Sequence, residues 1–186
     1  PTGNTISYLS LSSTGNGADF GNTTNIKDST GNCSSTTRAV ISGGHNGGAA
    51  KNFADYITIA STGNATNFGQ LNGSYMGQGA TASSTRGLFF GGTQSTANAS
   101  KKNSIMYLTI ATTGTSDDFG DMTVYSKFCD ATANATRAIT GHGYVDIANI
   151  IDYVTIGSTG NSTDFGDLSV QRGGGSALGS SAANAA

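Results

Sequence analysis

Residues 56–69 read YITIASTGNATNFG, and variants of this stretch occur four times in the chain. The four openings are YLSLSSTGN from Tyr8, YITIASTGN from Tyr56, YLTIATTGT from Tyr107 and YVTIGSTGN from Tyr153. Twelve residues after each Tyr stands a Phe followed by Gly: Phe20, Phe68, Phe119 and Phe165. Eighteen residues after the first three of these stands an Arg preceded by Thr: Arg38, Arg86 and Arg137. The return from Arg to the next Tyr takes 18, 21 and 16 residues, so the period is 48, 51 and 46. Two fixed intervals and one slack interval predict a Tyr-to-Arg supersecondary unit of set geometry. The slack belongs to surface loops at 45–54, 93–105 and 142–151. A unit this small cannot bury a core alone and must stack on its neighbours.

The local patterns are strand patterns. Ile57 and Ile59 alternate with Tyr56 and Thr58, as Leu9 and Leu11, Leu108 and Ile110, and Val154 and Ile156 do in their own copies. Period-two alternation rich in β-branched residues predicts a strand. The Gly of each following turn (Gly15, Gly63, Gly114, Gly160) is free to take positive φ. A short strand carrying a buried Phe follows. TRAVISGG and TRGLFFGG predict a further strand ended by a glycine pair, and YVDIANIIDYV reads as loop plus strand. The four Tyr rings are expected between neighbouring sheets, each using its hydroxyl for one hydrogen bond; exposed, they would instead stack on sugars.

Composition agrees. Ser, Thr, Asn and Gly make up half of the 186 residues, with one Pro and no Trp. Such residues are weak helix formers, which excludes a helical bundle. Charged residues are 11% of the chain, and nine Lys+Arg against eleven Asp+Glu leave no basic footprint for nucleic acid. No apolar run is long enough for a transmembrane helix, so neither nucleic acid nor membrane is an expected partner. Cys33 and Cys129 sit at different offsets in the repeat, which predicts buried, idle thiols.

A period near 50, with a strand ending in Gly-Gly, then a loop, then a strand opening on Tyr, resembles the kelch motif of β-propellers. Gly43–Gly44 and Gly91–Gly92 carry the match; in the third copy Gly141 is followed by His142. IDYVTIGSTGNSTDFGDLSV is similar to repeat proteins of marine bacteriophages, treated as virion or fibre components. The resemblance covers roughly residues 6 to 170. The expected fold class is therefore an all-β repeat protein of ~48-residue sheet units, propeller-like (kelch-like) and completed by oligomerisation. Residues 1–170 form an array of four units, the fourth incomplete, and 171–186 a Gly/Ser/Ala-rich tail. A ring closed within the chain would lack one strand. A chain beginning without Met is processed or a piece of something longer.

Candidate sites follow from the landmarks. Arg38, Arg86 and Arg137 could form a guanidinium ring for an anionic sugar or a second subunit. The architectural alternative pairs each with Asp19, Asp118 or Asp164 of a DFG turn, a carboxylate suiting the planar fork. Asp117, Asp118, Asp121, Asp164 and Asp167 supply the oxygens a calcium ion would want, but Asn22 and Gln70 break the pattern. His45 and His142 have base or ligand chemistry without a recognisable triad spacing. No catalytic, cofactor-binding or metal-binding residue is assigned. The expected role is a non-enzymatic structural component of a phage particle (fibre, tail-associated or capsid decoration protein). It would be located in the virion, with other virion proteins or copies of itself as partners and host-surface glycan contacted through the loops. The alternative is a carbohydrate-binding, lectin-like module of a secreted or cell-surface protein.

Overall fold

The computed structural model describes residues 3–95, 100–143 and 149–171, and the regular elements in them are all β-strands. A half-sheet comes first, with β1 (Thr5–Tyr8) antiparallel to β2 (Ala18–Asn22). The first complete sheet runs β3 (Gly31–Ser34), β4 (Arg38–Ser42), β6 (Ala49–Thr58), β7 (Thr66–Tyr75), with β5 (His45–Asn46) paired to β6. The middle sheet runs β8 (Gly79–Ala82), β9 (Arg86–Phe90), β10 (Lys102–Thr109), β12 (Asp117–Ser126). Two residues ahead of β12, β11 (Gly114–Thr115), pair in parallel with β7 of the preceding sheet. The last sheet runs β13 (Asp130–Ala133), β14 (Arg137–Gly141), β15 (Ile150–Thr155), β16 (Thr163–Asp167). The all-β expectation holds. The complete sheets are antiparallel meanders, and none of the described sheets closes on itself.

Alternation places apolar side chains on both faces of the middle sheet. Phe89, Met106, Leu108 and Ile110 join Cys33, Val40, Ala54, Phe68 and Leu71 in a cluster with the first sheet. Leu88, Phe90, Ile105, Phe119 and Met122 point the other way and meet Ala138, Val154 and Ile156 of the last sheet. Each Val, Leu, Ile, Met or Phe among them, fully buried, contributes ~1.5–3 kcal/mol. The sheets are thus stacked in chain order, and the seams between them are the core.

The frame differs from the sequence expectation. The Tyr-to-Arg stretch is not one unit, because the Phe strand ends one sheet and the Arg strand belongs to the next. The constant interval contains an unforeseen strand (β3, β8, β13) and the link that crosses the seam. That link explains the constancy. Nine residues before each Arg, Ser29 (φ 53°), Gly77 (φ 64°) and Phe128 (φ 55°) all adopt a left-handed backbone. The Gly77 N–H donates to the Ser29 carbonyl (2.8 Å), and the Phe128 N–H donates to the Gly77 carbonyl (2.6 Å). Link bonds to link, so none can change length alone. The Arg-to-Tyr connection joins two strands of one sheet and crosses nothing, so it varies. It is also less of a loop than expected: β6 starts at Ala49, β10 at Lys102 and β15 at Ile150. Residues 96–99 and 144–148 lie outside the described residues, as does the tail from 172.

The shifted frame moves the incompleteness. The fourth Tyr unit completes the last sheet, whereas β1–β2 lacks two strands, not one, relative to the complete sheets.

Candidate functional site

Each Tyr meets the Phe twelve residues on, edge to face across the strand pair. Ring centroids lie 5.9, 6.2, 5.9 and 6.0 Å apart for Tyr8–Phe20, Tyr56–Phe68, Tyr107–Phe119 and Tyr153–Phe165. Such a pair is worth ~0.5–1.5 kcal/mol beyond burial. The Arg of the neighbouring strand lies over the Tyr ring, with its guanidinium carbon 4.0, 4.4 and 4.6 Å from the centroid for Arg38, Arg86 and Arg137. Two of the three also cross a seam. Arg38 Nη1 donates to the Ile110 and Ala111 carbonyls (3.0 Å each), and Arg86 Nη1 donates to the Ile156 carbonyl (2.6 Å). The guanidinium therefore binds the next sheet's backbone, not the Asp of a DFG turn. Asp19 and Asp164 instead accept from the Gly21 and Gly166 N–H groups within their own turns.

The turns after Tyr56, Tyr107 and Tyr153 dock on the Phe strand of the preceding sheet. Gly63 N–H donates to Phe20 O and Gly160 N–H to Phe119 O, both at 2.7 Å. Two residues on, Ala65, Ser116 and Ser162 donate to the carbonyls of Asn22, Gln70 and Asp121. Asn64 and Asn161 return the contact, their Oδ1 atoms accepting the N–H groups of Asn22 and Asp121 (3.0 Å). The Gly after each Phe makes this approach possible. A Cβ at Gly21, Gly69 or Gly120 would stand 2.2, 2.0 or 2.4 Å from the carbonyl oxygen of Gly63, Gly114 or Gly160. Of the four turn glycines, Gly63 and Gly160 take positive φ.

Two seams carry a buried aspartate just before the Tyr. Asp55 accepts from the Thr24 N–H (3.1 Å) and hydroxyl (2.7 Å) and pairs with Lys27 Nζ (2.9 Å). Asp152 accepts from the Thr123 N–H (2.9 Å) and hydroxyl and from the Ser162 hydroxyl (2.8 Å), and His142 Nε2 lies 3.1 Å away. Burial opposes the charge on Asp152, but His142, Thr123 and Ser162 outweigh it and hold the carboxyl below its ordinary range. Burial likewise opposes the charge on His142, but Asp152 and Cys129 outweigh it and raise the imidazole to about 9. His142 stands where the other copies have Gly43 and Gly91, and it lacks their left-handed backbone.

Both cysteines are free and buried, and burial pushes the Cys33 thiol up to about 12. A nucleophilic thiolate is far from accessible there. His45 pairs with Asp28 at the surface, apart from His142. No group of three or more His, Cys, Asp or Glu side chains converges as metal ligands among the described residues. A cleft of about 130 Å³ lies between the half-sheet and the first sheet, lined by Phe20, Tyr56, Thr58, Ser61, Asn64 and Thr66. Its polar groups are hydroxyls and amides.

Sequence reasoning placed the Tyr, Phe and Arg landmarks but missed Asp55, Asp152, Lys27 and the Thr donors. Fold and site together define an all-β repeat protein whose repeated polar residues hold sheet to sheet. The chain matches no protein-family model, and no curated protein matches it.

Proposed function

We propose that the chain is a non-enzymatic structural component of a phage particle, as a fibre, tail-associated or decoration protein, with its stacked sheets propeller-like in arrangement. The observation that carries this reading is where the repeated chemistry goes. Every Arg with a complete sheet beyond it donates to that sheet's backbone. The buried Asp residues are likewise spent inside the stack, on Thr24 and Thr123 across a seam and on Lys27 and His142 beside them. Such a chain is built to persist, and the parts free to differ from copy to copy are its Arg-to-Tyr connections. Those connections are the surface offered to a host.

The test is immunogold labelling of density-purified particles, with peptide mass spectrometry of the same fraction. Label on intact particles and peptides at structural stoichiometry support the proposal. Recovery only in the particle-free secreted fraction overturns it. The lectin alternative has the hydroxyl- and amide-lined cleft beside Tyr56 in its favour. However, Arg38, Arg86 and Arg137 lie over three of the four Tyr rings that would stack on sugar. Glycan-array binding lost in Thr58→Val or Asn64→Ala would turn the assignment to that alternative.

A further inference from the structure

We infer that the chain binds a second copy of itself head to tail, the first turn of one copy docking on β16 of the other. This deepens the structural reading above and rests on it for the meaning of the contact; mass in solution and presence in particles are separate measurements, so one can fail without the other.

Three times within the chain, a turn following a Tyr strand seats on the Phe strand of the preceding sheet. Among the described residues there are four such turns and four such strands, so one of each is left over. The unused strand is β16. Phe165 is 51% exposed, whereas Phe119, its equivalent in the middle sheet, is 2% exposed. A Cβ at Gly166 meets nothing within 4 Å, where those at Gly21, Gly69 and Gly120 would strike the docked turn. Arg137 lies over Tyr153 as its equivalents do, but the carbonyl they reach belongs to a following sheet. The unused turn is residues 12–16. Leu11, three residues after Tyr8, is 97% exposed; its equivalents are 44% exposed at Ile59, whose turn seats on the two-stranded half-sheet, and 1% and 2% exposed at Ile110 and Ile156, whose turns seat on complete sheets. The two surfaces therefore do not meet within one chain, although each is a copy of a surface that is otherwise covered.

The internal seams dictate the contacts. Gly15 N–H of one copy donates to Phe165 O of the other, and Gly17 N–H donates to Asp167 O. Asn16 Oδ1 accepts from the Asp167 N–H, as Asn64 and Asn161 do from Asn22 and Asp121. Arg137 then reaches the Leu11 carbonyl, and the Leu11 side chain enters the seam. The interface is heterologous, so each added copy leaves a fresh turn and a fresh strand, and repetition gives a ring or a filament.

The experiment is sedimentation equilibrium on the full chain from micromolar to millimolar concentration, with two blocked variants. Gly15→Pro deletes the donor of the turn. Gly166→Val fills the gap on the strand; Asp167→Pro, which removes the outward N–H of an edge strand, stands in if Gly166→Val fails to fold by circular dichroism. The unmodified chain is expected to grow in mass with concentration above 18.6 kDa. Each variant alone is expected to stay at one chain. Their equimolar mixture is expected to stop at two, because one intact turn meets one intact strand and both outer ends are blocked. An unmodified chain that stays at one copy, as a ring closed within itself would, overturns the inference. So does growth that survives either block, or a mixture that does not pair.

Discussion

The seam between the first and middle sheets differs from the seams on either side of it most sharply at the residue before the Tyr. The residue before the Tyr is Asp55 in the first sheet, Met106 in the middle sheet and Asp152 in the last. Its surroundings change with it. Opposite each Asp stands a Thr, Thr24 or Thr123, giving both its N–H and its hydroxyl. Opposite Met106 the equivalent residue is Asn72, whose N–H goes to Ser116 Oγ, and that hydroxyl lies 3.8 Å from the Met106 sulfur. One backbone geometry thus accepts a buried charge or a thioether, provided every donor around it is re-assigned. A buried ion pair contributes little net stability over an apolar replacement, yet breaking it from one side is costly. The polar seams therefore tell one pair of sheets from another more than they strengthen the stack.

The largest effect that sharpens this contrast is expected from Lys27→Met. It strands the Asp55 carboxylate in a buried site and should lower stability by ~3–5 kcal/mol in urea unfolding. Adding Asp55→Met, which copies the middle seam, should recover most of that loss. A single substitution costing less than ~1 kcal/mol would show that the pair is not desolvated.

Next comes pH. The folded pKa of His142, about 9 against an ordinary 6.5, means its contribution is complete below pH 6.5 and is lost as pH rises through about 9. The depressed Asp152 contributes above its ordinary 3.8 and loses that contribution on acidification. Thermal unfolding should therefore shift to lower temperature from pH 6.5 to 9, and the double variant His142→Gly, Asp152→Met should flatten the decline. An unchanged slope in that variant breaks the assignment.

The smallest effect compares interior with end. Arg86→Ala removes a ring contact and a cross-seam hydrogen bond and should cost ~1–2 kcal/mol. Arg137→Ala, in the single chain in solution, removes only the ring contact and should cost ~0.5–1 kcal/mol. Equal costs would mean that the carbonyl bond to the next sheet adds nothing.

The strands and aromatic landmarks were legible because alternation and repetition both report burial directly. The frame was not, because a period has no origin: spacings of 12 and 18 are satisfied wherever the cut is made. Constancy of the Tyr-to-Arg intervals was read as one unit of set geometry, and the structure divides that stretch between two sheets. The rigid object, however, is a crossing between sheets, held by the Ser29, Gly77 and Phe128 backbones, and backbone bonds leave little side-chain signature. The same reason hid the Arg acceptors, which are carbonyls. The His142–Asp152 pair was hidden differently, since each residue departs from the repeat at its own position. The visible signal was His142-Gly143 replacing Gly-Gly one copy after Met had replaced Asp.

The offset between repeat and sheet has a genetic consequence. A tract cut just ahead of any Tyr strand carries the closing half of one sheet and the opening half of the next. Unequal crossing-over between two copies then rejoins complementary halves, so descendants gain or lose one whole layer and no strand is left mispaired at the junction.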